Sequence, residues 1–256
     1  MKYLFMLVLL CLQSVSSFVY AEAYKTEPKA GTAWTEPKTG MEFVWVPSGC
    51  FQMGGTDWAF QSPPHRVCVK GFWMGKFEVT QAQYLKIAAA NPSTFSGTNN
   101  PVETVSWDDA VRFSVLMGKS TGTQVRLPSE AEWEYACRAG HAQGRYCGND
   151  NNPNHIALYE SNSYKQARPV GHLAPNDWGL YDMSGNVWEW VQDCWHDNFV
   201  GAPADGSVWK GGECPKRVVR GGSWCNEETY ARASFRYGND PDAGECSGFR
   251  VMRSQP

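Results

Sequence analysis

The chain lacks the charge surplus that marks a nucleic-acid-binding protein. Its 256 residues carry 23 Lys and Arg against 26 Asp and Glu, a net charge of −3, so composition implies no basic patch. No CxxC occurs, and the five histidines, His65, His141, His155, His172 and His196, do not cluster with the cysteines. A zinc site of the usual spacing is thereby excluded. No GxSxG marks a serine-nucleophile elbow. Beyond residue 21 no stretch is long and apolar enough to cross a bilayer. Internal repeats, heptads and low-complexity tracts are also missing, which excludes solenoids and coiled coils.

What the chain does have begins with "MKYLFMLVLLCLQSVSSFVYA". One early lysine, an apolar run and a small-residue end read as a secretory signal peptide over residues 1–21, cleaved near Ala21. A membrane anchor is the alternative, weakened by Gln13 and the serines in the run. A lipidated Cys11 is another, weakened by Leu10 before it. The expected location is periplasmic or secreted. Eight cysteines follow, and an even count in an exported chain favours disulfides. They fall as four local pairs along the chain: Cys50–Cys68, Cys137–Cys147, Cys194–Cys214 and Cys225–Cys246. Twelve tryptophans and 25 glycines are high for this length and suit a loop-heavy fold pinned by large aromatic side chains.

Residues 22–40 are polar and broken by Pro and Gly, and read as an irregular leader or an irregular edge rather than a domain. "MEFVWVPSGCFQMGG" and "HRVCVKGFWMGKFEVT" carry strand alternation. Three capping boxes predict helix starts: Thr80 with Gln83, Ser106 with Asp109, Ser129 with Glu132. Gly118 and Gly140 are the expected stops. Trp133 is expected to anchor the core. Later strand candidates are "VWEWVQDCW", "KRVVRGGSW" and "SGFRVMR". Residues 41–254 are therefore expected to form one α+β domain, with helices early and an irregular sheet late.

The blocks "PSGCFQMGG", "FEVTQAQY", "PVETVSWDDAVRF", "VRLPSEAEWEYACRAG", "PVGHLAPNDWGLYDMSGNVWEW", "RVVRGGSW" and "GFRVMR" occur in an order that resembles the formylglycine-generating-enzyme, or sulfatase-modifying-factor, family. The resemblance runs from about Glu42 to Arg253. It implies a single loop-rich domain with a compact C-type-lectin-like fold. It does not settle activity. The family holds copper-dependent enzymes that convert a sulfatase cysteine to formylglycine, sulfoxide-forming enzymes with a separate iron-binding domain, and periplasmic proteins of pyoverdine maturation. It also resembles variable ligand-binding proteins.

The resemblance places calcium at "YDMSGNVWEW", with side-chain oxygens from Asp182 and Glu189 and carbonyls from Gly185 and Val187, the oxygen set this ion takes. Residues alone leave open that Asp182 caps a turn and Glu189 pairs with an arginine. A second, poorer family match falls at Asn162 and Tyr164. The formylglycine-forming members need two cysteines five apart after "GGS", a soft pair for Cu(I). Here Cys225 comes one residue early and Tyr230 stands five residues on, so copper is not expected. No second domain is expected that would hold iron in the sulfoxide-forming manner, and iron is otherwise left open. Cys246 offers Cys225 a disulfide partner, with a free reactive Cys225 as the alternative. Trp224, Tyr230 and Arg232 form the candidate ligand face, with Arg232 and Arg250 alternatively paired to Asp240 or Asp242. The expected function is that of an exported calcium-binding protein that takes a peptide, protein or glycan ligand on this face, without formylglycine generation. The alternative is an oxidative maturation enzyme acting on an exported peptide or protein.

Overall fold

Alternating apolar residues make the early strands, and short turns fold them onto one another. The computed structural model describes residues 27–142, 144–148 and 150–254; the expected signal peptide lies outside them. The first strands are β1 (Ala33–Thr35), β2 (Glu42–Val46), β3 (Gly49–Met53), β4 (His65–Val69) and β5 (Phe72–Gly75). The helices α1 (Gln81–Leu85) and α2 (Trp107–Thr121) follow, then β6 (Val125–Arg126), α3 (Glu130–Arg138) and α4 (Pro153–Ile156). Strands β7 (Ala157–Leu158), β8 (Ser184–Gly185), β9 (Trp188–Cys194) and β10 (Arg217–Arg220) lead to β11 (Arg236–Asn239), β12 (Ser247–Gly248) and β13 (Met252–Ser254). The main sheets are β1-β2-β5-β13-β6 and β11-β10-β9-β12, with β3-β4 and β7-β8 as separate pairs. This is the loop-rich α+β arrangement expected from the sequence.

All three capping boxes close as reciprocal side-chain and backbone bonds at Thr80, Ser106 and Ser129. Within the expected leader, β1 forms the edge of the first sheet: Trp34 packs against Phe43 and Trp73, and Glu36 and Thr39 are buried. One expectation needs correction. Gly118 does not stop α2, which runs on to Thr121 and ends at left-handed Gly122. A side chain at 118 would press on the backbone of Thr123 and Val125, so that glycine serves packing instead.

Helix α3 packs against the β3-β4 pair and against β9 and β10. Trp133 is fully buried, and its truncation to Ala would remove about 3–5 kcal/mol. Polar groups fix the helix as well. Glu130 takes two bonds from Arg236 (2.7 and 2.8 Å), and Glu134 binds Arg220 (2.6 Å) and Arg138 (2.7 Å). At the helix start Asp193 accepts from Glu130 N (2.8 Å) and Trp209 N (2.8 Å). Burial first, and then the Glu130 charge, push Asp193 up to about 7.

Three disulfides form as paired from the sequence: Cys50–Cys68, Cys137–Cys147 and Cys194–Cys214. The first joins directly opposed residues of β3 and β4. Cys225 and Cys246, the fourth expected pair, are also brought together, with their Sγ atoms 2.6 Å apart.

Candidate functional site

The glycine pair after β10 shapes the candidate site. Gly222 has φ +74°, and a Cβ there would sit within 2.8–2.9 Å of the Tyr230 and Ala231 backbone. Only glycine lets residues 228–231 lie this close, which sets Tyr230 beside Trp188 and Phe235. Gly238 on β11 plays the same part for Trp195, whose ring lies 2.5 Å from where a Cβ would stand.

These approaches wall a cavity of about 500 Å³, within the range of small-ligand sites. Its aromatic lining is Trp58, Phe60, Trp195, Tyr230, Phe235 and Tyr237, with exposed Lys216 and Glu227 at the rim. Of the three expected ligand residues, only Tyr230 lines it. Trp224 packs edge-on against Phe95 at 5.1 Å, and its buried Nε1 has no partner. Arg232 binds Asp57 at 2.6 Å and lies over Trp58, so it braces the cavity from behind. Its partner is Asp57 rather than Asp240 or Asp242. The pairing was foreseeable in kind but not in partner, because Asp57 lies 175 residues away in the chain.

Cys225 and Cys246 are not among the lining residues and belong to the apolar cluster behind them. The Cys246 carbonyl accepts from Trp188 N (2.9 Å), and Cys246 is buried in the same apolar cluster as Trp188 and Phe235. Cys225 is half-buried, with Ser223 Oγ 3.1 Å from its sulfur. The contacting Cys246 thiol pulls Cys225 down to about 7 against burial, with help from Ser223. Cys246 is pushed the other way, by Cys225 and by burial.

The calcium expectation meets a mixed geometry. Asp182, Gly185 and Asn186 all have left-handed backbone, which curls this segment around buried acids. Asp182 accepts from Gly171 N through Oδ2 (2.6 Å), and no hydrogen bond reaches its other oxygen among the described residues. Glu189, however, is not free. Arg250 holds both its oxygens at 2.6 Å, and Trp133 Nε1 donates to one of them at 2.7 Å. A carboxylate has about four acceptor positions, so a bidentate clasp on an ion is not left, and the arginine pairing weighed earlier is the one found. Glu78, not singled out in the sequence, joins the cluster: it accepts from Asn186 Nδ2 (2.6 Å) and Val187 N (3.1 Å). Burial, then Asp182 and Glu189, push Glu78 well above the usual carboxylate range. The expected Glu189 role does not fit, and among the described residues no group of three or more His, Cys, Asp or Glu side chains is placed to hold a metal ion. The second site is corrected outright. Asn162 uses its side chain on Tyr159 N and Ala157 O (both 2.9 Å), while Tyr164 is 82% exposed.

The family description "Sulfatase-modifying factor enzyme 1-like domain" matches residues 29–255. The chain belongs to this family. Its structure superposes on that of PvdO from Pseudomonas aeruginosa with a TM-score of 0.81 and 33% identity, covering 89% of this chain and all of that one. The compact C-type-lectin-like fold of the family is thereby the fold of this chain. The chain is also similar to the chaperone protein LppX of Paenibacillus barcinonensis, 28% identical over 266 residues, covering 84% of this chain and 90% of that protein. It is 37% identical over 172 residues to the formylglycine-generating enzyme of Thermomonospora curvata, covering 59% of this chain and 55% of the enzyme. Among the described residues no helix of this family member is long and apolar enough to cross a membrane.

Proposed function

We propose that the protein is an exported binding member of the family, taking a peptide, protein or glycan in the aromatic cavity, without generating formylglycine. The carrying observation is the cavity itself: about 500 Å³, walled by aromatic rings, with one cation and one anion at the rim. Such rings stack on an aromatic side chain or a sugar face, and Trp and Tyr dominate binding hot spots. Tyr230, five residues beyond Cys225, is part of this wall. Calcium belongs to the proposal, held by Asp182 with the Gly185 and Val187 carbonyls. When bound it supplies positive charge to the buried acids, and the segment it steadies carries β8 into β9.

The test is a peptide and glycan array probed with calcium-loaded protein, followed by calorimetry of the best ligand. Tyr230→Ala should weaken it at least about 10-fold, or about 1.4 kcal/mol. Unchanged affinity would place the ligand elsewhere. A sulfatase-derived cysteine peptide incubated with the protein and Cu(I) should keep its thiol mass; an aldehyde product would overturn the negative half.

A further inference from the structure

A second cavity, of about 410 Å³, is lined from the start of α2, the end of β9, the start of β10 and the loop before β10. It shares no residue with the aromatic cavity. Its walls are fixed. Trp107 Nε1 donates to Val191 O (2.8 Å). The loop is tied to the end of β9 by the Cys194–Cys214 disulfide, by Cys194 N donating to Trp209 O (3.1 Å), and by Trp209 N donating to Asp193 (2.8 Å). Trp107, Val111 and Val208 make the apolar part of the lining, and Lys210 and Arg217 carry its charge. No acid lines the cavity; Glu213, between Gly212 and Cys214, is exposed and outside the lining.

Arg217 is the informative residue. Arg126, Arg138 and Arg236 also line cavities, and each holds a glutamate oxygen at 2.7 Å. Half-buried Arg217 has no such partner among the described residues. Its Nη1 donates to Gln192 O (3.1 Å) and touches Cys194 Sγ (3.5 Å), while its Nε and Nη2 make no hydrogen bond among the described residues. Its Cζ lies 3.7 Å from the Trp107 ring centre. Burial pulls Arg217 below the usual arginine value, and the charges of Asp108 and Asp193 act against that. The guanidinium keeps its proton all the same. A partly desolvated cation without a counter-ion costs free energy, which a bound anion offsets. The open Nε–Nη2 edge is a pair of parallel donors that matches two oxygens of a carboxylate or phosphate.

We propose that this cavity binds an oxyanion carried on an apolar body, a carboxylate or a phosphate monoester. The open edge of Arg217 holds the oxyanion, Lys210 adds a second positive charge, and Trp107, Val111 and Val208 cover the apolar body. The volume suits a small ligand. The inference does not rest on the aromatic-cavity reading, because the two cavities have separate linings.

The test follows the Trp107 indole signal by NMR of the intact protein as benzoate, phenyl phosphate, benzamide or inorganic phosphate is added. Benzoate or phenyl phosphate should shift it saturably, and the tighter of the two names the anion. Benzamide keeps the ring without the charge and should bind at least about 10-fold more weakly, the scale of hydrogen bonds to a charged group; equal binding would overturn the charge recognition. Inorganic phosphate binding as tightly as phenyl phosphate would overturn the part given to the apolar wall. A shift confined to the Trp195 indole would place the anion in the aromatic cavity and sink the proposal. Arg217→Gln should weaken the tighter anion at least about 10-fold. Lys210 is exposed, so Lys210→Gln leaves the fold intact and should weaken it about 2- to 5-fold. Should Arg217→Gln lower the unfolding midpoint, Lys210→Gln alone decides. Unchanged affinity in the deciding variant, or no shift with either anion, would refute the site.

Discussion

Two buried ionic clusters share this core and differ in balance. Around α3, three acids (Glu130, Glu134, Asp193) face three arginines (Arg138, Arg220, Arg236). Around the Asp182 segment, three acids (Glu78, Asp182, Glu189) share one arginine, Arg250. Charge taken from water must be matched, protonated or bound to an ion. The first cluster matches itself and serves as a joint. The second is left with acid in excess, which pushes Glu78 up.

The largest test breaks the balanced cluster. Arg220→Met leaves Glu134 buried with one partner fewer, and should lower stability by about 3–5 kcal/mol. Adding Glu134→Leu should restore part of that loss, because the orphaned charge is removed. Thermal unfolding of the parent, single and double variants decides it, and a harmless single variant would show that α3 does not depend on the pairing.

The next test fills the unbalanced cluster. Calcium at about 100 times its Kd adds about 2.7 kcal/mol to the folded state. At ~2–4 °C per kcal/mol for this size, the midpoint should rise by roughly 5–10 °C over protein in chelator. Asp182→Asn should abolish the rise. Glu189→Gln is a poorer probe than the sequence alone implies, because it also cuts the Arg250 pair and should lower the ion-free midpoint. Equal midpoints with and without calcium would leave the segment as packing only.

Within the balanced cluster, Asp193 sets a pH dependence. Its folded value of about 7 lies above its ordinary one, so the folded state holds this proton more tightly than the unfolded chain. That part of the stability is fully present below the unfolded value, near pH 4, and is lost as pH rises through about 7. The slope from this one group is at most about 1.4 kcal/mol per pH unit. Asp193→Asn should flatten it over pH 4–7, as read by denaturant unfolding; an unaltered slope would move the effect to other groups.

The smallest effect lies outside both clusters. The Arg232–Asp57 pair is partly exposed on the Asp57 side, and Asp57→Asn should change stability by no more than about 1 kcal/mol. A larger loss would mean that this pair, and not packing, holds the back of the cavity.

Much of the frame was legible because it is written locally. Ser106 finds Asp109 three residues on, and Cys50 finds Cys68 across one hairpin. The site was legible in part. Tyr230 was picked out by its place after "GGSW", but Trp58, Phe60 and Trp195 were not. Their chemistry is that of any core aromatic until β11, itself unforeseen, gathers them. Gly118 misled because a glycine that ends a helix and one that admits a neighbouring strand look alike in one dimension.

The sequence by itself determined the family, the capped helix starts, the strand blocks and which cysteines are near neighbours, since each depends on contacts a few residues long or on a motif read whole. The tertiary structure alone decided who neutralises whom. Glu189 reaches Arg250 across 61 residues, Arg236 reaches Glu130 across 106, and Asn186 reaches Glu78 across 108. The physical reason is that a buried charge takes its partner from whatever the fold sets beside it, and sequence distance has no part in that choice.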